Sequence, residues 1–302
     1  MTDRTDRIDF QATSDPGLQS AADRGEDRLL GYRQLYELWE RQQWATQEID
    51  FSQDRVDWHE RIGPDERYAR MYGLSSFFIG EQRVAAELGP MMRAAPDEDM
   101  RLFLCTQIAD EARHVAFFDR FYAEVGVLES DNLQDRLAET SEHLNANFGV
   151  LFDELLRARV DRLAAEPEDL ETLVEAVTIY HMVIEGMLAL TGQHFIIDYN
   201  ERMGTLPGFV RGFTLVARDE HRHVAFGARF LRDMAARDAR YGAAIQRTLV
   251  EVGPAADGVL RPPWAPDDED TEIFGATIRQ TREFALRALQ RRLKVIGLMA
   301  AA

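Results

Sequence analysis

Asp110-Glu111-Ala112-Arg113-His114-Val115-Ala116-Phe117 occurs a second time, with one residue changed, as Asp219-Glu220-His221-Arg222-His223-Val224-Ala225-Phe226. On a helix, a glutamate and a histidine three residues apart lie on one face about a turn apart, so both side chains can reach one cation. A single Glu-x-x-His carries little weight, but two copies that share their flanks read as a site for two metal ions.

Two hard or borderline cations need further oxygen donors, in helical bundles usually a glutamate from each of the two other helices. Such acids should sit among apolar residues. Glu81 ends Ser76-Phe77-Phe78-Ile79-Gly80-Glu81, and Glu185 lies within Met182-Val183-Ile184-Glu185-Gly186-Met187-Leu188. Burying an unpaired carboxylate is costly, and a cation accounts for these two better than solvent does. The chain then divides into two halves of one form: Glu81 followed by Glu111 and His114, and Glu185 followed by Glu220 and His223.

The spacing of apolar residues and breaks predicts an all-α fold. Long helices are expected near residues 64 to 93, 97 to 125, 168 to 203 and 208 to 238, with another from 131 to 165 and a last one from 271 to 299. The breaks are Pro96-Asp97, Gly126, Pro167, Gly204 and Pro207-Gly208, and the Pro-rich stretch Pro254 to Pro266 reads as a connection. A short helix is expected from Leu29 to Trp44, an extended, turn-prone run over Ile49 to Asp54, and a loose arm over residues 1–28 ahead of a single domain, 29–302. No segment alternates as a strand would. Long helices with short connections form a bundle whose core can hold a cofactor.

The chain has 302 residues, 45% of them hydrophobic, enough for a substantial core. Its net charge of -18, with Lys294 the only lysine, disfavours nucleic acid or an anionic membrane surface as partner. One cysteine, Cys105, excludes an internal disulfide, and its apolar neighbours suggest a buried thiol. No apolar run is read as a bilayer span and no signal-peptide core is present, so a cytoplasmic location is expected.

At the six residues Glu81, Glu111, His114, Glu185, Glu220 and His223 the sequence resembles the ferritin-like di-metal carboxylate superfamily. Within it the chain is most similar to the ribonucleotide reductase small subunit and, more closely, to the ligand-binding oxidases like that subunit. The resemblance runs from about Trp44 to Phe230. It includes Trp44-Ala45-Thr46-Gln47-Glu48-Ile49-Asp50-Phe51-Ser52-Gln53-Asp54-Arg55-Val56-Asp57-Trp58 and, more specifically, Tyr180-His181-Met182-Val183-Ile184-Glu185-Gly186-Met187-Leu188-Ala189-Leu190-Thr191-Gly192. It implies a ferritin-like four-helix bundle with additional helices and, in its core, two metal ions, Mn/Fe or Fe/Fe. It also implies O2 activation beside a pocket for a long-chain fatty-acid-like ligand; a homodimer is compatible with it. In such oxidases a valine three residues after the lone glutamate is joined as an ether to a tyrosine five residues before the third-helix glutamate. Val84 and Tyr180 match those positions. On an α-helix a spacing of five turns Tyr180 well away from Glu185, and as periodic apolar positions both would be core residues.

Departures narrow the reading. Radical-generating reductase subunits carry a tyrosine one turn after the first metal histidine, where this chain has Phe118, and the C-terminus Leu298-Met299-Ala300-Ala301-Ala302 lacks their tyrosine-bearing tail. Ribonucleotide reduction is therefore disfavoured. Trp44 and Asp219 match residues of the reductase electron path, yet a hydrogen bond that orients a ligand histidine is sufficient employment for them. His181, four residues before Glu185, faces the site, either as an extra ligand or, more commonly for such a residue, as a hydrogen-bond partner of its surroundings. His59, His143, His194 and His221 lack ligand spacing. The alternatives that stay open are a di-iron N-oxygenase or acyl desaturase, and a non-enzymatic ferritin-like metal-binding protein.

Overall fold

A computed structural model describes residues 29–265 and 267–299. The arm expected over residues 1–28 lies outside the described residues. Four long helices carry the site: α3 (Pro64–Ala94), α4 (Glu98–Val125), α7 (Leu170–Met203) and α8 (Pro207–Arg237). Before them come α1 (Tyr32–Arg41) and the short α2 (Ser52–Val56). Between α4 and α7 lie α5 (Leu133–Ser141) and α6, which starts at Ala146 and reaches Ala165 through a π-helical stretch, Val150–Leu156. After α8 come α9 (Ala239–Val259), a two-stranded hairpin of β1 (Glu272–Ile273) and β2 (Ala276–Thr277), and α10 (Ile278–Ile296).

Local chemistry sets the helix ends. Pro64 starts α3 with Asp65 and Glu66 in its first turn, where the missing proline N–H costs nothing and acids face the positive end of the dipole. The Asp97 carboxylate accepts the Asp99 N–H at the start of α4, and Gly126, at φ +73°, ends it in the left-handed region open to glycine. The start of α8 is held from a distance: Asp54 accepts the N–H groups of Gly208 and Phe209 at 2.8 and 2.6 Å, and Asp57 accepts that of Leu206 at 2.8 Å. A Cβ on Gly208 would lie 2.2 Å from the Asp50 carbonyl, so only glycine lets the two segments meet.

Several expectations are corrected. The Ile49 to Asp54 run is extended only at its start, since Ser52 already opens α2, and the segment serves to cap α8. The single helix expected over 131 to 165 is broken at Asn145, whose amide donates to Tyr72 Oη and to the carbonyls of Gly258 and Arg261. Residues 239 to 253 belong to a helix that continues through Pro254 to Val259. The last helix starts at Ile278, because 272–277 form the hairpin. Cys105 is exposed: it lies on the outward stripe of α4 with Ala109, Ala112 and Ala116, while Gln107, Asp110, Glu111 and His114 turn inward. Among the described residues, α7 is the one helix long and apolar enough to cross a membrane, but 89% of its most apolar 18 residues are buried inside the protein.

The centre of α7, Thr178–Ala189, is π-helical, and it alters the expected periodicity. With i to i+5 closure, residues five apart return to one face, so Tyr180 and Glu185 both turn inward. α8 accommodates this wider segment at Gly227, where a Cβ would fall 2.2 Å from that of His181.

Candidate metal centre

The six acids and histidines expected from the sequence are brought together in the bundle core, each no more than 6% exposed. They form two overlapping clusters, Glu81, Glu111, His114 and Glu220, and Glu111, Glu185, Glu220 and His223, each with ligand atoms within 4.8 Å of one another. Glu111 and Glu220 belong to both. Glu111 turns Oε2 to His114 Nδ1 at 3.5 Å and Oε1 to His223 Nδ1 at 3.4 Å. Glu220 does the same, with Oε1 3.5 Å from His114 Nδ1 and Oε2 3.4 Å from His223 Nδ1. Two carboxylates spanning two imidazoles, with one further glutamate at each end, match the donor set of a dinuclear carboxylate site.

The hydrogen bonding points the same way. Glu111 Oε2, Glu185 Oε2, Glu220 Oε2 and His223 Nδ1 are buried without a hydrogen-bond partner. Unpaired polar atoms at one buried point are costly, and cations between them would satisfy them all. Burial pushes the carboxyls of Glu81, Glu185 and Glu220 above the ordinary glutamate value. Burial also acts to raise Glu111, but the nearby His114 imidazole and the charges of His223 and His114 outweigh it and hold that carboxyl at about 2. Burial opposes protonation of His114 and His223, yet the carboxylates around them raise both well above the usual imidazole range.

Each imidazole keeps Nδ1 toward the cluster and gives Nε2–H to an aspartate of the other repeat: His114 to Asp219 at 3.3 Å, His223 to Asp110 at 3.2 Å. An indole N–H reaches each aspartate at 2.8 Å, Trp44 to Asp219 and Trp39 to Asp110. Arg113 and Arg222 each bind both aspartates. All four outer residues of the repeated Asp-Glu-x-Arg-His thus form one ionic lattice behind the two histidines, with Arg113 at its partly exposed edge. The orienting role expected for Trp44 and Asp219 is present in this geometry. Its second half, through Trp39 and Asp110, was missed, although the repeat itself was the signal for it.

His181 is in neither cluster. Its Nε2–H donates to Gln107 Oε1 at 3.1 Å, and Gln107 Nε2 donates to Glu185 Oε1 at 2.8 Å. Burial, followed by the charge of His223, holds the His181 imidazole down at about 3, hence neutral. His221 bonds the Ala217 carbonyl, His59 that of Val125, and His194 stacks on Phe284. Phe118 is fully buried among Phe77, Phe78, Phe209 and Phe213.

The two remaining residues singled out are both buried, and each borders the site. Tyr180 donates its phenol to Glu111 Oε1 at 2.8 Å. Val84 lines a cavity of about 150 Å³ that starts at Glu81, Glu111, Glu185 and Glu220. From those carboxylates the cavity runs between α3 and α7 past Phe77, Phe152, Leu188 and Ile196 to Phe274 of the hairpin, and no lysine, arginine or histidine lines it.

The ribonucleotide reductase small-chain family model matches residues 31–252, which span both halves of the cluster. The chain belongs to this family. Within the ferritin-like superfamily, the solved structures it resembles include R2-like ligand-binding oxidases. A valine-to-isoleucine variant of such an oxidase with anaerobically reconstituted Mn/Fe cofactor is 26% identical, with a TM-score of 0.76 over 88% of this chain and 93% of that one. A tyrosine-to-phenylalanine variant with aerobically reconstituted Mn/Fe cofactor is 27% identical, with a TM-score of 0.77 over 89% of this chain and 94% of that one. A glutamate-to-aspartate variant, also aerobically reconstituted, is 26% identical with a TM-score of 0.77 over the same shares. The buried cluster of this small-chain family member fits a dinuclear metal cofactor of the kind those oxidases carry.

Proposed function

We propose that the protein is an O2-using di-metal oxidase whose Mn/Fe or Fe/Fe pair is held by Glu81, Glu111, His114, Glu185, Glu220 and His223, beside a pocket for a long-chain fatty-acid-like ligand. The observation that carries this reading is the apolar cavity ending on four carboxylates. Its apolar walls suit the part of a hydrocarbon chain next to the headgroup, and its one charged end is where two cations would turn a repulsive surface into one that attracts an acid headgroup. Bound metals would supply the electrons for reducing O2. The protein's own part is to hold the donors in place through the Asp110, Asp219, Arg113 and Arg222 lattice, to exclude water with the aromatic packing around Phe118, and to aim the chain of the ligand along α3.

An ether between Val84 Cβ and Tyr180 Oη belongs to the same proposal. The phenol already points into the cluster and Val84 walls the cavity. Forming the bond removes one hydrogen from each side chain, two electrons in all, with O2 as the oxidant. Storage of iron alone gives no reason for an apolar cavity, whereas a desaturase or N-oxygenase would share it. Elemental analysis of aerobically purified protein, with mass spectrometry of an organic extract, separates the ligand-binding readings from metal storage, and the Val84–Tyr180 link separates the oxidase from a desaturase or N-oxygenase. Two metals per chain together with a bound long-chain acid support the oxidase; two metals with no organic ligand favour metal storage.

A further inference from the structure

The two halves of the site are alike in their ligands but differ in what stands behind the lone glutamate. Gln107 lies one turn before Glu111, and the corresponding position before Glu220 is Val216. Both are fully buried. The Gln107 amide donates to Glu185 Oε1 at 2.8 Å, whereas Val216, an apolar side chain, offers Glu81 no donor. An amide has two ends of nearly equal size, and a carboxylate beside it selects only the NH2 end. The other end is fixed too, since the Gln107 carbonyl accepts the His181 Nε2–H at 3.1 Å. His181 cannot readily turn away: its Cβ is pressed against Gly227, and its ring lies between Tyr180 and Phe226 at 4.7 and 5.4 Å.

From this we infer that Gln107, oriented by His181, is a positioning residue that fixes the Glu185 carboxylate and so makes the position formed by Glu111, Glu185, Glu220 and His223 the more rigid of the two metal positions. Glu81 and Glu185 both border the cavity, and Glu81, which has no amide behind it, is the carboxylate free to adjust when ligand enters. The inference rests on the metal-centre reading above and explains how one symmetric ligand set can treat its two ions differently, because an outer hydrogen bond tunes affinity by roughly 10–100-fold.

The test is anaerobic titration with Co2+ alone, read by calorimetry and by anomalous occupancy of each position in crystals, for the full chain and for Gln107→Met and His181→Phe. Gln107→Met should weaken the position at Glu185 by about 10–100-fold and leave the position at Glu81 and His114 unchanged. His181→Phe should act on the same position to a smaller degree, because the amide can then flip; it carries the test if the first variant does not fold. Equal loss at both positions, or no loss at either, overturns the inference. Failure of the unaltered chain to take up two Co2+ ions would instead overturn the metal-centre reading.

Discussion

Asp110 of the first repeat holds His223 of the second, with 3.2 Å between Oδ2 and Nε2, and Asp219 returns the arrangement to His114. Each histidine therefore depends on the other motif for its tautomer. Asp110→Asn should lower metal affinity at the His223 position by roughly 10–100-fold, since an uncharged amide with one acceptor oxygen in place of two holds less firmly the Nε2–H that keeps Nδ1 free for a cation. Metal titration of the variant checks this. Because Arg113 and Arg222 each bind both aspartates, Arg222→Met should weaken both positions.

Glu111 and Glu220 are the two donors shared by both clusters. The double variant Glu111→Ala, Glu220→Ala should retain helical circular dichroism and lose both metals, as measured by elemental analysis.

Stabilisation by metal should grow with pH. Glu81, Glu185 and Glu220 have folded-state values above the 4.5 of an ordinary glutamate, and His114 and His223 lie above 6.5. The metal-free fold therefore binds more protons at these groups than the unfolded chain. Their contribution is fully present below the unfolded values and is lost as pH rises through the folded ones. Glu111 is displaced downward, to about 2, so its contribution is constant across neutral pH. Metal ions displace the extra protons. The rise in melting temperature on adding Mn2+ should be larger at pH 8 than at pH 5.5, and binding should release protons into a weakly buffered solution.

Phe118 stands where a radical-forming tyrosine would be, sealed among five phenylalanines. Electron paramagnetic resonance of the metal-loaded protein after exposure to O2 should show no stable tyrosyl radical that supports nucleotide reduction with a large subunit. Peptide mass spectrometry of the same sample should find the Val84 and Tyr180 peptides linked and two hydrogens lighter, and unlinked in Tyr180→Phe.

The helices that carry the site were legible because caps and breaks such as Pro64, Asp97, Gly126 and Gly204 are local signals. Glu81 and Glu185 stood out as acids in apolar runs. What was not legible depends on partners from other helices. Gln107 reads as an ordinary polar residue until His181 and Glu185 are beside it, and Trp39 gives no sign of Asp110. Tyr180 was placed by α-helical rotation, and the π-helical turn of α7 gives it another direction. The α9 helix was hidden by Pro254, and strands of two residues are too short to alternate.

The central claim is that two metal ions sit between Glu111 and Glu220. Anomalous diffraction at the Mn and Fe edges from crystals of the metal-loaded protein tests it most directly. Two peaks about 3.5–4 Å apart, one beside Glu81 and His114 and one beside Glu185 and His223, are the predicted result. A single ion, or metal bound anywhere outside these six side chains, would contradict it.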